Sequence, residues 1–465
     1  MTGSGPRLVV VGGGPAGVMA AVEASRWGMR VTLVDEQLAV GGQYFRARQS
    51  SLDTGGPRYL ERQAPSVDLR LGTSVFDAPA EGSLSTWHPQ VGASALGYDA
   101  LVLATGAYDR PVAIPGWTLP GVMTAGGAHS LAKGHHVVPG RGVVVAGAGP
   151  FLLEVADALQ GQGCRVTVVE ATRPRDAISG LPALLRAPAI LTQAAGYLGR
   201  QAARRWAARY GQVVTAIHGS ARVEAVSIAR VNADWRPMPG SEQLLAADAV
   251  CLGFGFVPHV DLAQLLGCGL AYDAVGAGFV VATDDAMRTS IPGVYAAGES
   301  VGIAGMRVAR LRGRLAGLSA ALDAGLLSTR RFAEERRGIQ SGLVRYLRVS
   351  DWMNRTYRPR DGLWDVANDE TVICRCEDVV RREVDRALEM TAPSPMAVKT
   401  ITRVGMGLCQ GRMCGPYLVE SLRSRHGFAV PTGARPWSVR PPVGPVPLQA
   451  WLPTPADAKE LAAGE

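Results

Sequence analysis

A short apolar strand, a glycine-rich turn, a helix, a second strand and an acid follow one another at residues 8–35, and the same succession returns at 142–170. In the first copy Leu8, Val9, Val10 and Val11 are followed directly by glycine, the pattern of a strand buried on both faces. Gly12-Gly13-Gly14-Pro15-Ala16-Gly17 comes next, then an alanine-rich stretch with helical spacing to Trp27, then a second strand ending in Asp35. In this context the glycine spacing predicts a dinucleotide-binding unit. Gly12 permits the tight turn, Gly14 lets a pyrophosphate approach the backbone, and Gly17 lets helix and strand pack closely. Pro15 and Ala16 begin the helix, whose free N–H groups and positive dipole end favour phosphate. Asp35 is placed to hydrogen-bond a ribose hydroxyl, with Glu36 as the fallback one residue on.

The second copy is less regular. Gly147 and Gly149 form its loop and Glu170 ends its second strand, but Leu152 stands where the third glycine belongs. A leucine there should push the helix away from the strand or demand a different loop. Retention for packing is therefore preferred over NAD(P) binding, although Glu170 would favour a free 2′-hydroxyl if NAD bound.

Three further stretches extend the first motif: Gly41-Gly42-Gln43, an apolar strand ending in Thr105-Gly106, and a strand leading into Gly298-Glu299. With the glycine loops they resemble the flavoprotein disulfide-reductase superfamily and its glutathione-reductase-type FAD fold. The resemblance implies an α/β, nested-Rossmann architecture. An FAD-type domain is expected at 1–115 and 245–325, with an NAD-like unit at 116–244 inserted in it. It also implies that Gly42, Gln43, Thr105, Gly106 and Gly298 surround the flavin nucleotide. Relatives usually carry Asp on the ribityl chain where this chain has Glu299, one methylene longer. No Cys-x-x-Cys or Cys-x4-Cys occurs before residue 370, so thiol–disulfide exchange is not expected.

Four of the seven cysteines lie close together: Cys374 and Cys376 as C-x-C, Cys409 and Cys414 as C-x4-C. Four thiolates converging suit iron–sulfur or zinc. C-x-C is tight for a zinc knuckle, which favours iron–sulfur without removing zinc. Arg375 and Arg412 lie within the motifs, where positive charge would raise a cluster's potential. The stretch also resembles the bacterioferritin-associated-ferredoxin-like [2Fe–2S] domain, which implies Cys374, Cys376, Cys409 and Cys414 as cluster ligands. That small helical domain is expected at 371–430, after a linker at 326–370 with one helix or two, and before a proline-rich tail at 431–465.

The formal charge of +8 is almost all arginine, spread along the chain with acids among it, which argues against nucleic acid as a partner. No apolar run approaches the ~18–20 residues of a transmembrane segment. The N-terminus runs straight into the glycine loop, so a cytoplasmic location is expected.

As a set, residues 104–128, 143–156, 252–268 and 409–414 resemble the A-type subunits of opine oxidases and related subunits of hydrogen cyanide synthase and D-hydroxyproline dehydrogenase. That resemblance implies an electron-transfer (alpha) subunit of an amine or imino-acid dehydrogenase. Such a subunit works with a second, β-type flavoprotein that carries the substrate site, and it hands electrons to an external electron acceptor. It further implies FAD, or another adenine nucleotide in the same pocket, a [2Fe–2S] cluster, and in some relatives FMN at a subunit interface. No catalytic acid, base or nucleophile stands out. The competing reading is a self-sufficient NAD(P)H-dependent reductase with a cluster relay.

Overall fold

The computed structural model describes residues 5–45, 56–176, 207–431, 433–435 and 437–452, with isolated positions between 185 and 200. The first glycine motif forms strand β1 (Arg7–Val11), helix α1 (Pro15–Arg26) and strand β2 (Arg30–Asp35). Strands β3 (Asp68–Leu71) and β4 (Ala100–Leu103) join them. Leu8 pairs with Val31 on one side of β1 and with Ala100 on the other, both in parallel.

The continuous apolar run of β1 follows from its two covered faces. Leu8 and Val10 point to α1, whereas Val9 and Val11 point to Leu84 and Leu96 of an antiparallel three-stranded sheet, 74–97. Both sets are buried, so the strand has no polar side to show.

The second motif builds another parallel sheet from β5 (Val122–Thr124), β6 (Gly142–Gly147), β7 (Arg165–Glu170), β8 (Ala207–Tyr210) and β9 (Ala249–Gly253). Helices α2 (Ala125–His135) and α3 (Phe151–Gly161) pack on it. Because β9 lies between β6 and β5, the second unit runs on to Gly253, past the boundary expected at 245.

The leucine at the third glycine position does not expel the helix. Helix α3 begins at Phe151, after Pro150, one residue later than α1 begins in its own motif. Leu152 is fully buried and points at Gly253, where an added methyl would lie 2.8 Å from Leu152 Cδ2. The space that a glycine on the helix would have given is supplied by a glycine on the neighbouring strand.

After the second unit come helix α4 (Asp261–Leu265) and strand β10 (Val294–Ala296), which completes the first sheet in the order β10-β4-β1-β2-β3. Helix α5 (Met306–Asp323) then packs along α1. Methyls on Gly313 and Gly317 would lie 2.0 Å from Ala16 O and 2.4 Å from Ala20 O, so the two backbones nearly touch. Most of the expected linker is one long helix, α6 (Thr329–Tyr357), which adds Phe332, Ile339 and Leu343 to the same core. It ends as Arg358 turns extended ahead of Pro359, the backbone that a following proline enforces.

The cysteine module holds α7 (Arg381–Glu389), α8 (Pro395–Thr402) and α9 (Gly415–His426). It is docked on the second unit: one continuous core joins Val384, Val398 and Leu418 to Ile217, Val226 and Trp235. Trp117 Nε1 donates to Val372 O across that joint at 2.7 Å. The described part of the tail runs back over the first domain. Val443 N donates to Phe76 O at 2.9 Å, and Trp451 packs edge-on against Phe76. Among the described residues no helix is long and apolar enough to cross a membrane.

Candidate functional site

Gly12 has φ +105°, and a methyl there would lie 2.2 Å from Ala104 O, so the turn and β4 together require glycine. A methyl on Gly17 would lie 1.8 Å from Gly12 O. Gly14, at the N-cap of α1, has nothing within 4 Å of such a methyl: space is open in front of the helix N-terminus. Pro15 is the first helical residue and Ala16 is buried against the loop. Asp35 accepts from Gly13 N at 2.5 Å and from Gln37 N at 2.7 Å, which fixes its carboxylate beside the loop. Glu36 is exposed and accepts from Gln37 Nε2 at 3.3 Å. Gly42 faces Gly14, and Gln43 accepts from Ser130 Oγ at 2.8 Å.

At the other end of the cleft, Thr105 Oγ1 donates to His259 O at 2.6 Å, and the space at Gly106 is open. Gly298 abuts Ala16. Glu299 accepts from Gly305 N at 2.8 Å and Ala304 N at 3.3 Å, capping the start of α5. Burial raises its pKa, opposed by the Gly305 N–H and Arg312. The structure thus brings the two strand ends and the first glycine loop together, with open space at Gly14 and Gly106 of the kind a nucleotide would need.

In the second unit the equivalent loop is covered at Gly149. Glu170 is buried and accepts from Gly149 N and Thr172 N, each at 2.8 Å. Burial pushes its pKa up to about 7 against those two bonds. Tyr357, at the end of α6, covers the loop: a methyl on Gly149 would lie 3.5 Å from its ring. Burial, and then the nearby Glu170, push the tyrosine up to about 12. Sequence reasoning misses this residue, because nothing local to Tyr357 points to a loop more than two hundred residues earlier.

The four thiols form two pairs across the two motifs. Cys374 is hydrogen-bonded with Cys414, and Cys376 with Cys409. Cys374 and Cys414 are buried, Cys409 is half-buried and Cys376 is exposed. The bond from Cys414 holds Cys374 down at about 6, helped by the N–H groups of Gly405, Glu377 and Cys376. The same bond, then burial, raises Cys414. Among the described residues no three His, Cys, Asp or Glu side chains are grouped closely enough to hold a metal ion as they stand. A two-iron cluster would take all four thiolates as ligands. A methyl on Gly407 would lie 2.2 Å from Cys376 Cβ and one on Gly415 2.0 Å from Trp437 Nε1, so the loop is drawn tight. Of the two arginines in the motifs, Arg375 is exposed, whereas Arg412 turns inward and pairs with Asp261 at 2.7 Å.

A family model for pyridine nucleotide-disulphide oxidoreductases matches residues 6–325, and one for the BFD-like [2Fe-2S] binding domain matches residues 372–424. The molecule is a flavin oxidoreductase carrying a [2Fe–2S]-binding module. Hydrogen cyanide synthase subunit HcnB of Pseudomonas protegens is 34% identical over 96% of this chain and 97% of its own length. The A-type subunit of opine oxidase from Agrobacterium tumefaciens is 34% identical over 98% of this chain and 93% of its own. L-proline dehydrogenase from P. horikoshii has the same fold, with a TM-score of 0.70 at 20% identity over 96% of this chain and 79% of that one. The chain belongs to the pyridine nucleotide-disulphide oxidoreductase family.

Proposed function

We propose that this chain is the electron-transfer (alpha) subunit of an amine or imino-acid dehydrogenase, of the opine, D-amino acid, hydroxyproline or glycine type. In this reading it takes electrons from a β-type flavoprotein partner and passes them to an external acceptor. The observation that carries it is open space before the first glycine loop at Gly14 and Tyr357 packed on the second loop at Gly149, in a chain that also carries four cysteines in one module. The full-length relatives, named as subunits of opine oxidase and hydrogen cyanide synthase, support a partnered role.

The residues proposed to hold FAD, or another adenine nucleotide, are Gly12, Gly14, Pro15, Ala16, Gly17, Asp35, Gly42, Gln43, Thr105, Gly106, Gly298 and Glu299, with Glu36 as the alternative acid. Cys374, Cys376, Cys409 and Cys414 are proposed to ligate the cluster. When bound, a flavin exchanges electron pairs and the cluster single electrons, while this chain supplies position and charge. The N-terminus of α1 receives the pyrophosphate, and Asp35, already oriented by Gly13 and Gln37, presents its carboxylate to the ribose. The N–H groups around Cys374 stabilise its thiolate, and the buried pair excludes water from that side. FMN at the junction with the partner belongs to the same reading.

The test is co-expression with a candidate β-type flavoprotein. The two should co-purify and reduce an acceptor in an amine-dependent way, and the single chain should not. Rapid amine oxidation by the single chain would sink the proposal.

The competing NAD(P)H reductase needs the second cleft, which Tyr357 covers. Anaerobic NADH or NADPH is therefore expected to leave the flavin oxidised over minutes; bleaching within seconds would favour the reductase. The acceptor side is expected at the exposed edge of the cysteine module, where Leu408 is 83% exposed beside Cys409, with Met406 and Ile401 also exposed. Leu408→Glu should slow acceptor reduction about fivefold to tenfold, the cost of spoiling one apolar anchor, without altering cluster content. An unchanged rate would place the exit elsewhere.

A further inference from the structure

Between the open cleft and the cysteine loop runs a chain of polar contacts that the redox assignment alone does not require. His259 is tied at both ends of its peptide to the flavin-side turn: its N–H donates to Gly106 O at 2.9 Å, and its carbonyl accepts from Thr105 Oγ1. Its ring Nε2 lies 3.1 Å from Asp261 Oδ2. The same carboxylate oxygen receives Arg412 Nε at 2.7 Å. Arg412 also donates to Val443 O on the tail, and its NH1 reaches Cys409 O at 3.5 Å. One turn along α4, Gln264 Nε2 donates to Trp437 O, and the Trp437 indole packs on Gly411 and Gly415. Asp261 and Arg412 are each about four-fifths buried, with side-chain exposures of 20% and 19%. They line one wall of a small cleft whose other walls include Tyr108, Tyr272, Glu420 and Trp437.

Resting on the proposed electron-transfer role, we infer that Asp261 is a positioning residue for the cluster: it pins the 409–414 loop to the flavin-side turn and offsets the charge of Arg412. The first half follows from connectivity. Arg412 sits between two of the four thiols, and the carboxylate that holds it lies two residues from the peptide fixed to Thr105 and Gly106. The second half follows from charge. A guanidinium near thiolate-bound iron favours the reduced cluster, and a carboxylate 2.7 Å from that guanidinium cancels part of the effect. Burial strengthens both contributions, because little water screens them. Arg412 would otherwise be a largely buried cation with only carbonyl partners.

The charge half is tested by redox titration of the cluster in the purified holoprotein, followed by electron paramagnetic resonance. Asp261→Asn keeps the shape and removes the negative charge, so the midpoint potential should rise. Arg412→Gln removes the positive charge, so it should fall. The double variant restores the original charge sum and should return close to wild type. Asp261→Glu should stay close to wild type. Shifts of the two single variants in the same direction, or no shift in either, would overturn the charge half.

Hydrogen exchange tests the pinning with or without the cluster. Asp261→Asn should speed exchange at residues 409–415 and 437–443, and unchanged exchange would overturn the positioning half. Neither measurement uses a partner protein or an amine, so a negative result here leaves the dehydrogenase reading standing. Wild-type protein that holds no cluster would instead sink that reading.

Discussion

Replacing Cys414 with serine is expected to empty the cysteine module of iron and sulfide and to lower acceptor reduction by at least roughly a hundredfold, since even outer-shell changes at metal sites cost 10–100-fold. Cys414 has no exposed surface and is paired with Cys374, so no neighbouring side chain or solvent can replace its sulfur. A serine oxygen is harder and far less acidic than a thiol, and it does not supply the soft ligand that iron–sulfur sites use. Flavin content should survive, because the open cleft belongs to the other sheet. The check is iron and acid-labile sulfide analysis beside flavin absorbance in one preparation. Serine at Cys376 is the useful contrast: that thiol is exposed, so its variant should retain a weaker, more labile cluster. A fully loaded Cys414→Ser protein would remove Cys414 from the ligand set.

The second large effect is expected at two glycines three residues apart, with opposite causes. Gly17→Val puts a side chain where a methyl already lies 1.8 Å from Gly12 O. The obstacle is backbone, so α1 must leave β1, at a cost at or above the ~3 kcal/mol upper range for overpacked cores. The variant should melt earlier and retain no flavin. Gly14→Ala meets nothing within 4 Å and needs no unusual backbone, with φ −69°. Its apoprotein should melt like wild type while flavin binds about tenfold more weakly, a loss of ~1.4 kcal/mol where the pyrophosphate approaches. Melting curves of the apoproteins and flavin titration separate the two. Normal flavin affinity in Gly14→Ala would mean that the nucleotide lies elsewhere.

These glycines are legible in the sequence because their reason is local: a turn, a helix start and a strand within a few residues of one another. The two parallel sheets are legible on the same ground. Features set by distant parts of the chain are not. Leu152 reads as disruptive until Gly253 on β9 is placed beside it. The pairing of Cys374 with Cys414 and Cys376 with Cys409 depends on how a hairpin meets a loop, which spacing does not reveal. Glu299 reads as a ligand for the ribityl chain, and its carboxylate also caps α5. Tyr357 and Asp261 carry no motif. Asp261 meets Arg412 across 151 residues, and only the docking of the module makes them neighbours.

The joint between α1 and α5 also bears on how the molecule comes into being. Glu23 on α1 and Arg314 on α5 are 291 residues apart, and the entire second unit is made between them. During synthesis β1, α1 and β2 emerge first, yet α1 has no helix to close on and β4 lacks its outer neighbour β10. Among the described residues, the sheet of the inserted unit is complete once β9 is made at Gly253, before α5 or β10 exists. Such long-range closure is slow and leaves apolar surface uncovered in the interval. The oldest part of the nascent chain thus waits longest for the helix that closes over it.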